Sequence, residues 1–182
     1  MKLKGFRQTK QGRYLSSYEL AYENKEGKEK IYEMVSREKN LSADSIGEKT
    51  AGIAIAGFKG DEVLLIKEFR MGVNTYVWAF PAGLIEDGES PEDAARRELK
   101  EETGMEIIKI KDMLNPSFSC SGVTDETSMI VFCEVDGEIE NSKFADEEIE
   151  AKLLTKYEVR KLMDEEMFAA RTQSICYLWA KE

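Results

Sequence analysis

Gly83-Leu-Ile-Glu-Asp-Gly-Glu89-Ser-Pro-Glu-Asp-Ala-Ala-Arg-Arg97-Glu98-Leu-Lys-Glu101-Glu102-Thr-Gly104-Met105 is the stretch on which the reading of this chain turns. Its second half is written as a helix. Ser90 is a good N-cap, Pro91 falls on the first helical position, and Glu92 and Asp93 favour the positive end of the helix dipole. Gly104 is placed to end the helix in the left-handed conformation. Within that helix Glu98 and Glu102 are four residues apart and Glu98 and Glu101 three, so all three crowd one face. Like charges at these spacings destabilise a helix by a few tenths of a kcal/mol per pair, and a bound cation reverses that sign. Oxygen ligands at this density favour Mg²⁺ or Mn²⁺ over zinc. Mg²⁺ takes few protein carboxylates and prefers substrate phosphates for the rest, so the stretch suits metal-assisted chemistry on phosphate esters or anhydrides. The competing reading is a solvated acidic helix face, which is what most runs of charge are.

The rest of the chain narrows the choices. There are 182 residues with 36 acids, 26 bases and no histidine, for a net charge of −10. Without histidine there is no Ser-His-Asp triad, no Cys-His pair and no imidazole-held zinc. The acidic balance argues against nucleic acid and anionic membranes as partners. Cys120, Cys133 and Cys176 are odd in number and widely spaced, which indicates neither a disulfide framework nor a CxxC site. No run approaches 18 apolar residues, so no membrane span is expected and a cytoplasmic location is.

Around the helix, short strands alternate with turns. Tyr18–Tyr22 and Ile31–Arg37, split by a turn at Gly27, predict a β-hairpin, preceded by a basic, acid-free Met1–Ser17 read as a solvated strand or tail. Ala51–Phe58 and Glu62–Phe69, split at Gly60, predict a second hairpin, followed by short runs at Tyr76–Phe80, Ile107–Leu114 and Ser128–Val135. Thr155 and Glu158 have capping-box spacing, and Phe168–Lys181 predicts a last helix with Ile175, Leu178 and Trp179 on its apolar face. The expected class is α/β (α+β), helices covering a partly antiparallel sheet.

The quoted stretch resembles the Nudix box: Gly, five residues, Glu, seven residues, Arg-Glu, an apolar residue, any residue, Glu-Glu, any residue, Gly, an apolar residue. Gly83, Glu89, Arg97, Glu98, Leu99, Glu101, Glu102, Gly104 and Met105 fill every slot. The resemblance implies a mixed sheet sandwiched between helices and hydrolysis of a nucleoside diphosphate linked to another moiety. It implies Glu98 and Glu102 as metal ligands, Glu101 as ligand or water-activating group, and Arg97 as orienter of the glutamates. It implies Glu89 as a structural residue or a peripheral ligand, and Gly83 and Gly104 as serving the loop and the helix end. Ile66–Arg70 with Phe80-Pro-Ala-Gly83 is similar to the ADP-ribose pyrophosphatase group. That implies the Ala82 carbonyl at the metal and Arg70 on substrate. It also implies a homodimer through N-terminal strands, with Tyr32, Arg37 and Glu126 as further substrate contacts. The acidic Phe144–Glu150 segment resembles the loop that supplies a general base, selecting Glu147 and then Glu148. Ser121 stands where the group has Pro, and Ala79 where it tends to have Glu, which widens the implied substrates from ADP-ribose to nucleotide sugars. The expected organisation is an N-terminal hairpin extension over 1–48 and a Nudix domain over 49–182. A nucleotide-pool hydrolase of modified triphosphates and a non-catalytic Nudix-fold sensor are the alternatives.

Overall fold

In the computed structural model, which describes residues 1–140 and 148–181, the chain falls into two compact units. One comprises Met1–Ala51 with Pro116–Ser128, the other Gly52–Asn115 with Met129–Glu182.

The first unit is built on an antiparallel meander of β1 (Lys2–Gln11), β2 (Ser16–Glu23) and β3 (Glu29–Ser36). The expected hairpin is β2–β3, with Gly27 at φ 77° in its turn. The basic N-terminus is a third strand rather than a tail. Its charges are matched across the sheet, Lys4 to Glu23 at 3.1 Å and Arg7 to Glu19. Phe6 stacks on Tyr18 at 5.0 Å between ring centres. Tyr18, Leu20, Met34 and Leu41 form this unit's core. The Val35 amide donates to the Val123 carbonyl at 2.9 Å and so brings the 119–126 loop to β3.

The second unit carries the larger sheet, of order β10-β5-β4-β9-β8. Its strands are β4 (Thr50–Lys59), β5 (Glu62–Arg70), β6 (Thr75–Ala79), β7 (Ala82–Leu84), β8 (Glu106–Phe118), β9 (Thr127–Asp136) and β10 (Ile149–Thr155). β4 and β5 pair only beside their turn, at Phe58–Val63 and Lys59–Glu62. Beyond it they part, and β6 pairs with β5 while β7 pairs with β4. The chain from Ala79 to Ala82 therefore crosses the split in the sheet.

Successive residues of β4 and β5 serve opposite faces, as a pleated strand dictates. Ile53, Ile55, Leu64 and Ile66 pack with Ala94, Ala95 and Leu99 of α1 (Pro91–Thr103). Ala54, Ala56, Val63 and Leu65 pack with Trp78, with Val159 of α2 (Lys156–Glu165) and with Cys176 of α3 (Ala170–Lys181). Double burial explains why these strands read as almost continuous apolar runs. The result is the expected sheet between helices, α1 on one face and α2 and α3 on the other.

The last helix differs in detail from the expectation. Ile175 and Trp179 pack on the sheet, but Leu178 is 65% exposed, because Thr172, Cys176 and Ala180 face inward instead. β7 and β10 were not foreseen. β7 is three residues long, and β10 follows directly on an acidic run.

Candidate active site

The helix expected from the sequence is α1, and its ends are made as its residues prescribe. Ser90 Oγ accepts the Asp93 amide at 3.1 Å. Gly104 sits at φ 74°, its amide donating to the Lys100 carbonyl at 3.0 Å. Burial of Leu99 fastens the helix to the sheet and stabilises it by about 1.5–3 kcal/mol.

Opposite the helix, two bonds fix the stretch that crosses the split. The Phe80 amide donates to the buried Thr172 Oγ1 at 3.0 Å, and the Pro81 carbonyl accepts the Ile55 amide at 2.8 Å. This delivers Ala82 and Gly83 to the glutamates of α1. The Ala82 amide donates to Glu102 Oε2 at 3.0 Å, and Glu102 is 7% exposed. A methyl group on Gly83 would lie 1.9 Å from Glu98 Cδ. The place of that missing side chain is thus taken by the Glu98 carboxylate. Only glycine permits this approach.

Arg97 ties the arrangement together. Its Nε and Nη2 reach both oxygens of Glu89 at 2.9 Å, Nη1 reaches Glu98 Oε1 at 2.7 Å and Glu101 Oε2 at 3.3 Å, and Nη2 also reaches the Leu84 carbonyl at 3.0 Å. The guanidinium beside Glu89, with the Glu86 amide, holds the Glu89 carboxyl below the usual range. Glu89 in turn, then Glu98, holds the Arg97 proton more tightly than in free arginine. Glu101 is the most open of the three acids whose carboxylates Arg97 contacts.

Glu98 and Glu102 thus flank one backbone segment, Ala82–Gly83, one helical turn apart. Among the described residues no three acidic, histidine or cysteine side chains are already drawn together as a metal cage. Two adjacent carboxylates beside exposed backbone, with no complete cage, fit a hard cation that takes its remaining ligands from phosphate and water. The donors are all oxygen, which suits Mg²⁺ or Mn²⁺.

The other expected site residues are placed as follows. In the first unit Tyr32 donates its hydroxyl to the Gly122 carbonyl at 2.6 Å, and Arg37 Nε pairs with Glu126 Oε2 at 2.9 Å. In the second unit Arg70 Nη1 binds Glu68 Oε1 at 2.7 Å at the end of β5. Glu147 lies outside the described residues. Glu148 is described, and the structure brings it to Tyr76 rather than to the glutamates of α1. Its carbonyl accepts the Phe69 amide at 3.1 Å, and its carboxylate accepts the Tyr76 hydroxyl. That bond, then burial, raises the Tyr76 phenol above its usual range.

Strand alternation gives the reason. Tyr76 lies in register with Phe69 and shares a face with Trp78 and Lys67, which is the α2 and α3 face. Glu68, Arg70 and Ile149 belong to the α1 face. Thr172 and Tyr76 were not picked out from the sequence, since each acts across a distance that no local pattern records. Burial pushes the Cys133 and Cys176 thiols up to about 12, which removes both as nucleophiles at neutral pH.

Residues 48–172 match the NUDIX domain. An ADP-sugar pyrophosphatase of Mus musculus is 38% identical over 96 residues, 52% of this chain and 43% of that protein. An ADP-ribose pyrophosphatase of Saccharomyces cerevisiae is 35% identical over 140 residues, 75% of this chain and 60% of its own length. One of Bacillus subtilis is 31% identical over 125 residues, 66% and 67% of the two chains. The chain therefore spans roughly half to two thirds of these relatives. A crystal structure of an ADP compounds hydrolase superposes with a TM-score of 0.74 at 23% identity, covering 100% of this chain and 94% of that one, which speaks for the fold. With the box filled at every position and the family match running over most of its length, the chain belongs to the NUDIX domain family.

Proposed function

We propose that the chain is a metal-dependent pyrophosphohydrolase. It cleaves the diphosphate linkage of a nucleoside diphosphate derivative, such as ADP-ribose or a nucleotide sugar, into two monophosphates. The observation that carries this reading is the seating of Glu98 in the bare space of Gly83 while Glu102 accepts the Ala82 amide. The relatives named for ADP-ribose and ADP-sugar support the substrate class.

Glu98, Glu102 and the Ala82 carbonyl hold Mg²⁺, with Mn²⁺ as a substitute, and Glu101 completes or serves that set. When bound, the metal neutralises phosphate charge and lowers the pKa of water. Arg97 orients Glu98 and Glu101, and Glu89 fixes Arg97. A loop glutamate removes the proton of the attacking water. Glu147 is the first choice, because the Glu148 carboxylate is engaged by Tyr76 on the other face of the sheet. Arg70 binds substrate phosphate or ribose, and Tyr32 and Arg37 from the N-terminal hairpin and Glu126 from the 119–126 loop are further contacts. Those strands also join two copies of the chain in the cytoplasm, a state that sedimentation velocity reads directly. Neither nucleic acid nor membrane is a partner.

The test is phosphate-monoester release, with and without Mg²⁺, from ADP-ribose, UDP-glucose, diadenosine polyphosphates and modified triphosphates. Glu102→Gln is expected to abolish metal-dependent turnover with an unchanged circular dichroism spectrum. Near-normal turnover in that variant would sink the assignment, and release from triphosphates alone would move it to the pool-cleaning class.

A further inference from the structure

One edge of β6 pairs with β5, and the other meets the chain that leads into α3 at Trp78. The Trp78 amide donates to the Met167 carbonyl at 2.8 Å, and the Trp78 carbonyl accepts the Ala169 amide at 2.9 Å. Two residues on, the same edge presents the Phe80 amide. By then the covering chain has turned into α3, which begins at Ala170, so strand-like pairing stops. The Thr172 side chain takes over, its Oγ1 accepting the Phe80 amide at 3.0 Å. Thr172 is 3% exposed and Phe80 2%, so this amide has no solvent to turn to.

One residue further the chain changes neighbours. The Pro81 carbonyl accepts the Ile55 amide, and Ala82 pairs in register with Ala54 of β4. Proline has no amide, so the Phe80 N–H is the last backbone donor before that of Ala82. The Pro81 ring fixes its own φ and restricts Phe80 as well. A displacement of the Phe80 amide is therefore passed on to Ala82 with little taken up between them.

We infer that Thr172 is a positioning residue for the metal site, acting from the opposite face of the sheet. Its hydroxyl sets where the Ala82–Gly83 backbone meets Glu102 and Glu98, and through that how tightly the site holds a divalent cation. The inference rests on the metal-site reading above. None of the groups assigned there lies on α3, so the last helix becomes part of the support of the site. Cys176 lies on the same face of α3 one turn later and packs in one cluster with Phe80, which makes it the control for packing alone.

The test uses the full chain and Mn²⁺ alone, with binding read by electron paramagnetic resonance in the absence of substrate. Thr172→Val keeps the shape and leaves the buried Phe80 amide unpaired. It is expected to weaken Mn²⁺ binding about tenfold or more, the effect of a lost supporting bond at a metal. Thr172→Ser keeps the hydroxyl and is expected to restore wild-type binding. Cys176→Ala is expected to lower the melting temperature and to leave Mn²⁺ binding as in wild type, which separates positioning from general support of the fold. Wild-type affinity in Thr172→Val, or equal weakening in Thr172→Ser or Cys176→Ala, overturns the inference. Should Thr172→Val fail to fold, hydrogen exchange in the wild-type chain decides. Coupling is reciprocal, so Mn²⁺ is expected to slow exchange at the Phe80 amide more than at the amides of β5, and equal slowing overturns the inference. A wild-type chain that binds no Mn²⁺ removes the metal-site reading and this inference with it. Binding that is equal in wild type and Thr172→Val removes the role of Thr172 alone.

Discussion

At the scale of single residues, Gly83 and Glu89 carry separate burdens at the site. Gly83→Ala would place a methyl group 1.9 Å from Glu98 Cδ, so the carboxylate must leave its seat. The backbone of β7 at Gly83 is not in the left-handed region and can accept alanine, so the fold is expected to survive. A carboxylate displaced by an ångström or more is expected to lower turnover about 100-fold, with a weaker metal dependence. A metal titration of activity reads this, and wild-type kinetics in the alanine variant would show that Glu98 needs no such seat. Glu89 works through Arg97, and its effect depends on pH. Its folded pKa is depressed, so its contribution is present above the unfolded value of about 4.3 and is lost as pH falls through the folded value. Thermal melts of Glu89→Gln are expected to fall below wild type at pH 7 and to approach it as the pH is lowered through the folded value. An equal gap across that whole range would mean that the charge of Glu89 is not what matters. Both residues were legible in the sequence because the box names them. The contact that gives Gly83 its purpose was not, since it depends on where β7 lies against α1.

Elements were legible in proportion to how locally their limits are written. α1 is written to begin at Pro91 after the Ser90 cap and to end before Gly104, and the structure has those bounds. Ser90→Ala is expected to cost about 1 kcal/mol through the lost cap, seen as a lower midpoint in urea with full activity in native buffer. A drop in activity without a drop in stability would place Ser90 in the site instead. β10 shows the opposite case. Ile149–Thr155 mixes Glu150 and Lys152 with apolar residues and follows an acidic run, so no clear alternation appears. Its identity comes from pairing with β5, more than 80 residues earlier. The same pairing decides the place of Glu148, which a reading as acidic loop leaves open.

For the whole molecule, the layered second unit was legible because Ala51–Phe58 and Glu62–Phe69 are apolar on both faces, which only a sheet covered on both sides requires. The composition of the first unit was not. Pro116–Ser128 joins it from far along the chain, through contacts such as Val35 to Val123 and Tyr32 to Gly122. A fragment of residues 1–51 therefore lacks part of its own unit and has few buried side chains of its own. It is expected to show no cooperative melting by circular dichroism, while the full chain melts cooperatively. A sharp transition in the fragment would make the meander independent.

The strand order has one more implication, for synthesis on the ribosome. Ala82 through Glu102 spans 21 consecutive residues, so the donors proposed for the metal leave the exit tunnel together. The strand β9, which lies between β4 and β8 and packs Val131 and Cys133 under α1, is translated later. During that interval the nascent chain carries its charged helix over β4 and β5 alone, without the residues that β9 adds to the floor. Elongation through β9 is thus the step that completes the surface on which the acidic segment is seated.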